Sequence, residues 1–460
     1  MRKKMIQHLS SSLVFEHRFL RDLPEASLYL VGGAVRDFFL KKVVVDRDYV
    51  AVNIGASELK KWLQAHGRVN FVGKNYGVFK FVPFHRRGRK KIDSVDIALP
   101  RTERSQSDNL GGYHNFEINL DKISLEEDLA RRDFTINAMA LDLRTKQLSD
   151  PFGGQWDLKK RLIRAVGTPT TRFHEDLSRL LRAIRLAAQL DFKIEKKTRK
   201  ALTFLFPLLN RKRKAANGSL EWIVPRETIG RELSKAFAFD PFKTVSLLRR
   251  ADGLRILIPE LRRKDTRSAT YLRPIRLLPL KEGTVAVALL LRALSPEKAI
   301  SICQSLGFTA LPKSDPNRID PSEVGWILKK SLQFSRPKKI RDLPLLEAEK
   351  IFLQPKTKNL LLFFESIGRK KTADAARHLI QDLYRKTEIQ PGKSIPTLIT
   401  GDDLLALGFS EGPKIRQILE TIRNAQLHGD LKTKKTALKL IKNGLVGGSG
   451  LEPLTFTMSM

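Results

Sequence analysis

Apolar positions along this chain follow two rhythms in succession. Up to about residue 167, short apolar runs of strand length alternate with helical spacing. Strands are predicted over residues 28–31, 43–50, 69–72, 78–82 and 93–99, and helices over 34–40, 56–65 and 125–141. Beyond Thr171 the strand signals nearly vanish and helical periodicity continues to the end, with helices expected over 174–190, 195–209, 225–238 and 241–251. Arg211, Lys212, Arg213 and Lys214, followed by Ala-Ala-Asn-Gly-Ser, read as an exposed basic loop. Proline-containing stretches at 263–279, 311–321 and 390–396 are candidate boundaries. No internal repeat or long low-complexity tract interrupts the pattern.

Composition then narrows the partners. Lys and Arg number 85 against 49 Asp and Glu, a formal net charge of +36. That surplus implies a polyanion, nucleic acid ahead of an anionic membrane. Cys303 is the only cysteine, which excludes an intrachain disulfide and fits a reducing cytoplasm. No apolar stretch approaches the ~20 residues needed to span a bilayer, and the basic N-terminal segment lacks the apolar centre of a secretory signal. A cytoplasmic protein that faces nucleic acid and no membrane is expected.

Candidate chemistry concentrates in three places. Gly32 and Gly33 let the backbone turn sharply between a strand and a helix, and Arg36 adds a forked cation suited to phosphate. On the next predicted strand Asp46 and Asp48 point to the same side, two hard carboxylates of the kind Mg²⁺ takes. Asp96 lies on a strand that can return beside them as a third acid of a two-metal site; Asp93, three residues away, faces the other side. The second place opens with a capping box, Ser124 and Glu127, on a helix that carries Arg131, Arg132, Asp133 and Asn137. Adjacent residues on a helix face different ways, so the two arginines take different jobs. Arg132 suits a triphosphate and Asp133 a ribose hydroxyl. The third place is a helix with Asp176, Arg179, Arg182 and Arg185, whose arginines cover a face of about 120°. A carboxylate accepting beside a guanidinium donating matches the edge shared by cytosine and adenine and opposes guanine and uracil.

With these residues assembled, the chain resembles the class II tRNA nucleotidyltransferase family, which includes CCA-adding enzymes and bacterial poly(A) polymerases. LVGGAVRD with DRD looks like its metal and triphosphate motif, RRDFTINAMALD like its ribose-selecting motif, DPFGGQWDLKKRLIRAVG like its head-to-neck connection, and EDLSRLLRAIR like its template for the incoming base. The match runs in order from about residue 28 to 200, and residues 211–390 match poorly. The resemblance implies an α/β head of DNA-polymerase-β type over 1–167, a mixed sheet with helices, then an all-α neck (168–262), body (263–390) and tail (391–460). It implies Mg²⁺ held by Asp46 and Asp48, with Asp96 as a third catalytic acid. Nucleotide contacts are carried to Gly32, Gly33, Arg36, Arg132 and Asp133, base selection to Asp176 and Arg179, and further nucleotide contacts to Arg182 and Arg185.

The expected activity is template-independent CCA addition to the tRNA 3′ end from CTP and ATP, releasing pyrophosphate. Poly(A) polymerase and partial A-adding or CC-adding enzymes are the alternatives. Residues 399–408 with the Gly412-Pro413 turn resemble the tail of CCA-adding enzymes, and residues 101–123 are long enough for the loop that helps the family switch from C to A. No histidine is followed by Asp, so an appended His-Asp phosphohydrolase is not expected. Arg211 to Lys214, Arg262 to Lys264, and Lys432, Lys434, Lys435, Lys439 and Lys442 are expected to hold the tRNA acceptor arm by its phosphates. Arg86 to Lys91 are left unassigned.

Overall fold

The computed structural model describes residues 14–44, 46–72, 78–84, 94–105, 116–119, 123–214, 218–261 and 268–443. The chain divides into two compact units, one formed by Met1–Gly283 with Ser301–Asp320 and the other by Thr284–Ile300 with Pro321–Met460.

The first unit begins with helix α1 (Val14–Asp22), strand β1 (Ser27–Val31), α2 (Gly33–Phe39), β2 (Asp48–Val52), α3 (Ala56–His66), β3 (Gly67–Val72), β4 (Val78–Pro83) and β5 (Val95–Ala98). After a separate antiparallel hairpin, β6 (Thr102–Ser105) with β7 (Phe116–Asn119), come α4 (Leu125–Ala130), β8 (Ala140–Asp142) and β9 (Leu148–Ser149). Seven strands form one sheet in the order β3-β4-β5-β2-β1-β8-β9. All its neighbours are antiparallel except β2 and β5. Each strand has an apolar face because its side chains alternate, and the sheet closes over a core of Val31, Val50, Leu129, Ala138, Ala140 and Val166.

The rest of this unit is helical, with α5 (Gly154–Lys160) before the two-residue strand β10 (Leu162–Ile163), then α6 (Pro169–Glu175), α7 (Ser178–Leu190) and β11 (Lys193–Ile194). Next come α8 (Lys196–Leu205), a two-stranded ribbon of β12 (Lys212–Lys214) and β13 (Leu220–Trp222), α9 (Arg226–Phe239) and α10 (Pro241–Arg250). Helix α7 buries most of its length, including Leu180, Leu181, Ala183, Ile184 and Leu186.

Among the described residues the second unit has no strand. Its long helices are Pro321–Gln333, Lys370–Thr387 and Pro413–His428. Thr400 and Asp403 form a capping box at the start of Gly401–Ala406, and Ile399, Leu404, Ile418, Ile422, Leu431 and Ile441 pack into a local core. Among the described residues no helix is long and apolar enough to cross a membrane.

An α/β head followed by helices is thus observed, with four local differences from the pattern-based expectation. Strand β2 begins at Asp48, not at residue 43, and Asp46 lies on the bend before it. The predicted helix over 125–141 ends at Ala130; a 3₁₀ turn (Thr135–Asn137) and β8 follow. The predicted helix over 174–190 breaks at Asp176. The basic run at 211–214 is a strand, not a loop. Asp93, Arg86 to Lys91, Arg262 to Lys264 and the middle of the 101–123 segment lie outside the described residues.

Candidate active site

The site starts at the turn between β1 and α2. Gly32 has φ 69° and ψ −136°, a backbone state that side chains other than hydrogen rarely allow. A Cβ built there would lie 2.9 Å from Arg132 Nη1 and 3.8 Å from Asp48 Oδ2. Backbone, guanidinium and carboxylate therefore converge on a glycine because nothing larger fits between them.

The carboxylates come from neighbouring strands. Asp48 is paired in register with Asp96 across the parallel β2/β5 ladder. Between Asp46 and Asp48, Arg47 reaches Glu16 of α1, its Nη1 3.3 Å from Oε1, and Tyr49 donates to the same oxygen at 2.5 Å. Glu16 is 5% exposed, so this pair pins the segment to α1. The Asp48 carboxyl is raised above its ordinary value by desolvation first, then by the Asp96 carboxylate; Arg132 opposes the rise and Asp46 adds to it. In this conformation no three acidic, His or Cys side chains among the described residues meet at metal-binding distances. Clustered carboxylate oxygens are nonetheless the donor chemistry of a hard divalent cation.

Arg131 and Arg132 share one protein partner. Both bind Asp128, which is fully buried: Arg131 Nη2 is 2.7 Å from Oδ1 and Arg132 Nη2 is 3.2 Å from Oδ2. Burial alone would raise that carboxyl, but the two guanidiniums hold it below its usual value. The two pairs are at i,i+3 and i,i+4 from Asp128, the spacings a helical turn brings together.

From the turn a continuous chain of hydrogen bonds runs to α7. Arg36 grips Asp37 through Nε and Nη2 at 2.8 and 2.9 Å, and its Nη1 donates to Asn137 Oδ1 at 2.8 Å. Asn137 Nδ2 donates to Asp133 Oδ1 at 3.0 Å. Asp133 Oδ2 receives Arg182 Nε at 2.8 Å and Nη2 at 2.7 Å. Desolvation acts to raise the Asp133 carboxyl, yet Arg182 with Asn137 and Arg179 holds it far below the ordinary range. Arg36 and Asp133 thus each carry a protein partner in this conformation. The 3₁₀ turn is held from behind by Thr135 Oγ1 donating to Asp157 at 2.6 Å, with Arg164 on the same carboxylate at 3.0 Å. Gly154 permits that contact, since a Cβ there would meet Thr135 O at 2.4 Å.

Asp176 sits in extended backbone between α6 and α7, where its Oδ1 accepts from Ser178 N at 2.8 Å. Arg179 Nε approaches its Oδ2 only to 3.9 Å. The closer partner of Arg179 is Glu175, at 2.9 Å, which also binds Arg172 at 2.8 Å; Arg179 Nη2 reaches Arg131 O at 3.1 Å. Arg185 pairs with Glu232 of α9 at 2.6 Å. Asn137, Glu175, Asp128 and Glu232 are the residues that pattern reading left without a role. Glu127 and Asp128 fall in the capping turn, a signal that was visible, whereas Glu232 meets Arg185 only through the packing of α9 on α7.

A mixed sheet presents carboxylates beside a glycine turn, and a mostly helical chain with two short two-stranded sheets follows it. Residues 28–164 match the Poly A polymerase head domain family. The chain is 39% identical over 239 residues to the Multifunctional CCA protein of Xanthomonas axonopodis pv. citri (strain 306), covering 51% of each chain. It is 38% identical over 235 residues to that of Neisseria gonorrhoeae (strain NCCP11945), covering 51% of this chain and 50% of the relative. The chain thus spans about half the length of the curated relatives it matches. The fold as a whole is shared with the Bacillus stearothermophilus CCA-adding enzyme in complex with CTP, at TM-score 0.61, 22% identity and coverage of 93% of this chain and 95% of that one. It is shared also with the Thermotoga maritima CCA-adding enzyme complexed with tRNA_CCA, at TM-score 0.60, 21% identity, and coverage of 96% and 98%.

Proposed function

We propose that this protein adds CCA to the 3′ end of tRNA, using CTP and ATP. The observation that carries the reading is the Asp48–Asp96 register pair facing Arg132 across Gly32. In this reading Asp46 and Asp48 hold Mg²⁺, with Asp96 beside them; bound there, the ion supplies Lewis acidity to the reacting phosphate. The 3′-hydroxyl of the RNA gives up its proton to solvent as its oxygen bonds to the α-phosphorus, the bond to the bridging α–β oxygen breaks, and pyrophosphate departs. Arg132 lies where phosphate charge would gather and stabilises it, while Gly32 and Gly33 leave the backbone open to the triphosphate. Asp133 and Arg36 set the position of the ribose-facing turn through Asn137.

Residues 168–262 act as the base-selecting neck. Asp176 keeps one oxygen without a close partner, and Arg179 is held within reach of it by Glu175. Together they present an acceptor beside a donor, the complement of cytosine and adenine. Arg182 and Arg185 extend that cationic face toward the nucleotide. The body and tail, from residue 263 onward, hold the tRNA. The sequence similarity to multifunctional CCA proteins over about half of the chain and the shared fold of the CCA-adding enzymes support this reading.

The test supplies CTP, ATP, GTP or UTP singly to the enzyme with a tRNA transcript lacking CCA, for the wild type and Asp176→Ala. The wild type is expected to use C first and to reject G and U, and chelation of Mg²⁺ is expected to stop extension. Asp176→Ala is expected to admit G or U before overall turnover is lost. Equal use of all four nucleotides by the wild type, or unchanged choice in the variant, would contradict base selection by the protein.

A further inference from the structure

The ribbon of β12 and β13 has two unlike faces. Its register sets Lys212 opposite Trp222, Arg213 opposite Glu221 and Lys214 opposite Leu220. Residues directly opposite share a face, and successive residues alternate between faces. One face therefore carries Arg213 and Glu221, joined as an ion pair at 2.7 Å and close to neutral. The other carries Lys212, Lys214, Leu220 and Trp222, which is two cations and no carboxylate.

That second face is built to remain in place. Arg226, at the start of α9, lays its guanidinium carbon 3.5 Å from the centre of the Trp222 ring, and it donates through Nη2 to Asn210 Oδ1. Lys212 Nζ lies 4.7 Å from the same ring centre. Leu220 is 68% exposed, a large apolar side chain standing in water beside Lys214. A ribbon that served only to connect α8 to α9 would gain nothing from exposing leucine among uncompensated lysines. Cations for phosphates, with an aromatic and an apolar surface for ribose and base, are the components of a nucleic-acid contact. An anionic bilayer is a poorer fit, because membrane-surface clusters gather about four to eight basic residues.

We propose that the Lys212, Lys214, Leu220, Trp222 face of this ribbon is a contact surface for the RNA backbone, separate from the site that selects the nucleotide. The assignment rests on the reading of the protein as an RNA-extending enzyme for the identity of its ligand. Arg213 and Glu221 neutralise each other and take no part.

The test uses the full-length protein and a tRNA transcript lacking its CCA end, with dissociation constants measured across a series of KCl concentrations. Lys212→Gln with Lys214→Gln is expected to weaken binding about tenfold at physiological salt and to flatten the log–log salt slope by roughly 1.5, as loss of two phosphate contacts requires. Glu221→Gln, on the other face, is expected to leave both affinity and slope unchanged. An unaltered slope in the double variant, or an equal loss in Glu221→Gln, would overturn the assignment. So would loss of binding to phosphatidylserine vesicles with RNA binding intact. Since the readout is binding, a wild type that fails to extend RNA would refute the catalytic reading and leave the slope to judge the ribbon.

Discussion

Gly32 is the residue at which a backbone state closed to side chains, a guanidinium and a carboxylate meet. Its φ of 69° and ψ of −136° fall where a side chain is strained, and its Cβ position lies 2.9 Å from Arg132 Nη1. Gly32→Ala should therefore cost about 1–3 kcal/mol of stability and push Arg132 away from Asp48. Extension should fall far more than RNA binding does, which rates at saturating RNA and a filter-binding curve would separate. Unchanged rates would mean that the close approach has no part in catalysis. The double glycine was legible in the sequence as a turn. The reason that the first of the two must be glycine was not, because Arg132 arrives from a segment a hundred positions later.

Helices and strands were read correctly where a single local pattern governs them, as in β1, β4, α3 and α9. They were misread where a buried charge redirects the chain. Residues 125–141 carry helical spacing, but the helix stops at Ala130, with Arg131 and Arg132 both paired to the fully buried Asp128. The backbone of 133–135 then pairs with 164–166, and tertiary hydrogen bonds override propensity. The break at Asp176 has a similar cause, its side chain accepting from Ser178 N where a continued helix would run.

Asp128→Asn leaves two guanidiniums facing a neutral amide in a buried place, and it should destabilise the first unit by roughly 3 kcal/mol or more. The pH dependence follows from the direction of the shift. The folded carboxyl lies below the ordinary aspartate value of 3.8, so the wild type has this stabilisation in full above that value. It loses the stabilisation as pH falls from there through the folded value. Denaturation midpoints at neutral and acid pH should show a gap between wild type and Asp128→Asn that narrows on acidification. A gap that held constant would rule out the charge as its source.

At the scale of the whole molecule, the order of architecture was plain from the sequence, strands first and helices after, because strand and helix periods differ and the change falls near one place. Pairings between distant elements were legible only in part: the strand of Asp96 was expected to return beside Asp46 and Asp48, but its register was not. Asp48 and Asp96 became neighbours only through a parallel ladder with β3 and β4 inserted between them in sequence, and Arg185 met Glu232 only through helix packing. The charge surplus was visible, but its distribution was not. Lys432 and Lys434 of the tail lie 2.5 and 2.6 Å from Glu388 and Asp403, whereas Lys435, Lys439 and Lys442 are exposed. The tail cluster thus divides into paired and solvent-facing cations, a division invisible in the composition.

The central claim is that one carboxylate site, served by one base-selecting surface, adds C, then C, then A, and stops. Sequencing the 3′ ends of tRNA transcripts that begin without CCA, after C and after CC, following incubation with CTP and ATP together, tests it most directly. The account predicts that all three converge on a single end, CCA, with no further residues. Runs of A beyond that end, or arrest after CC alone, would contradict it.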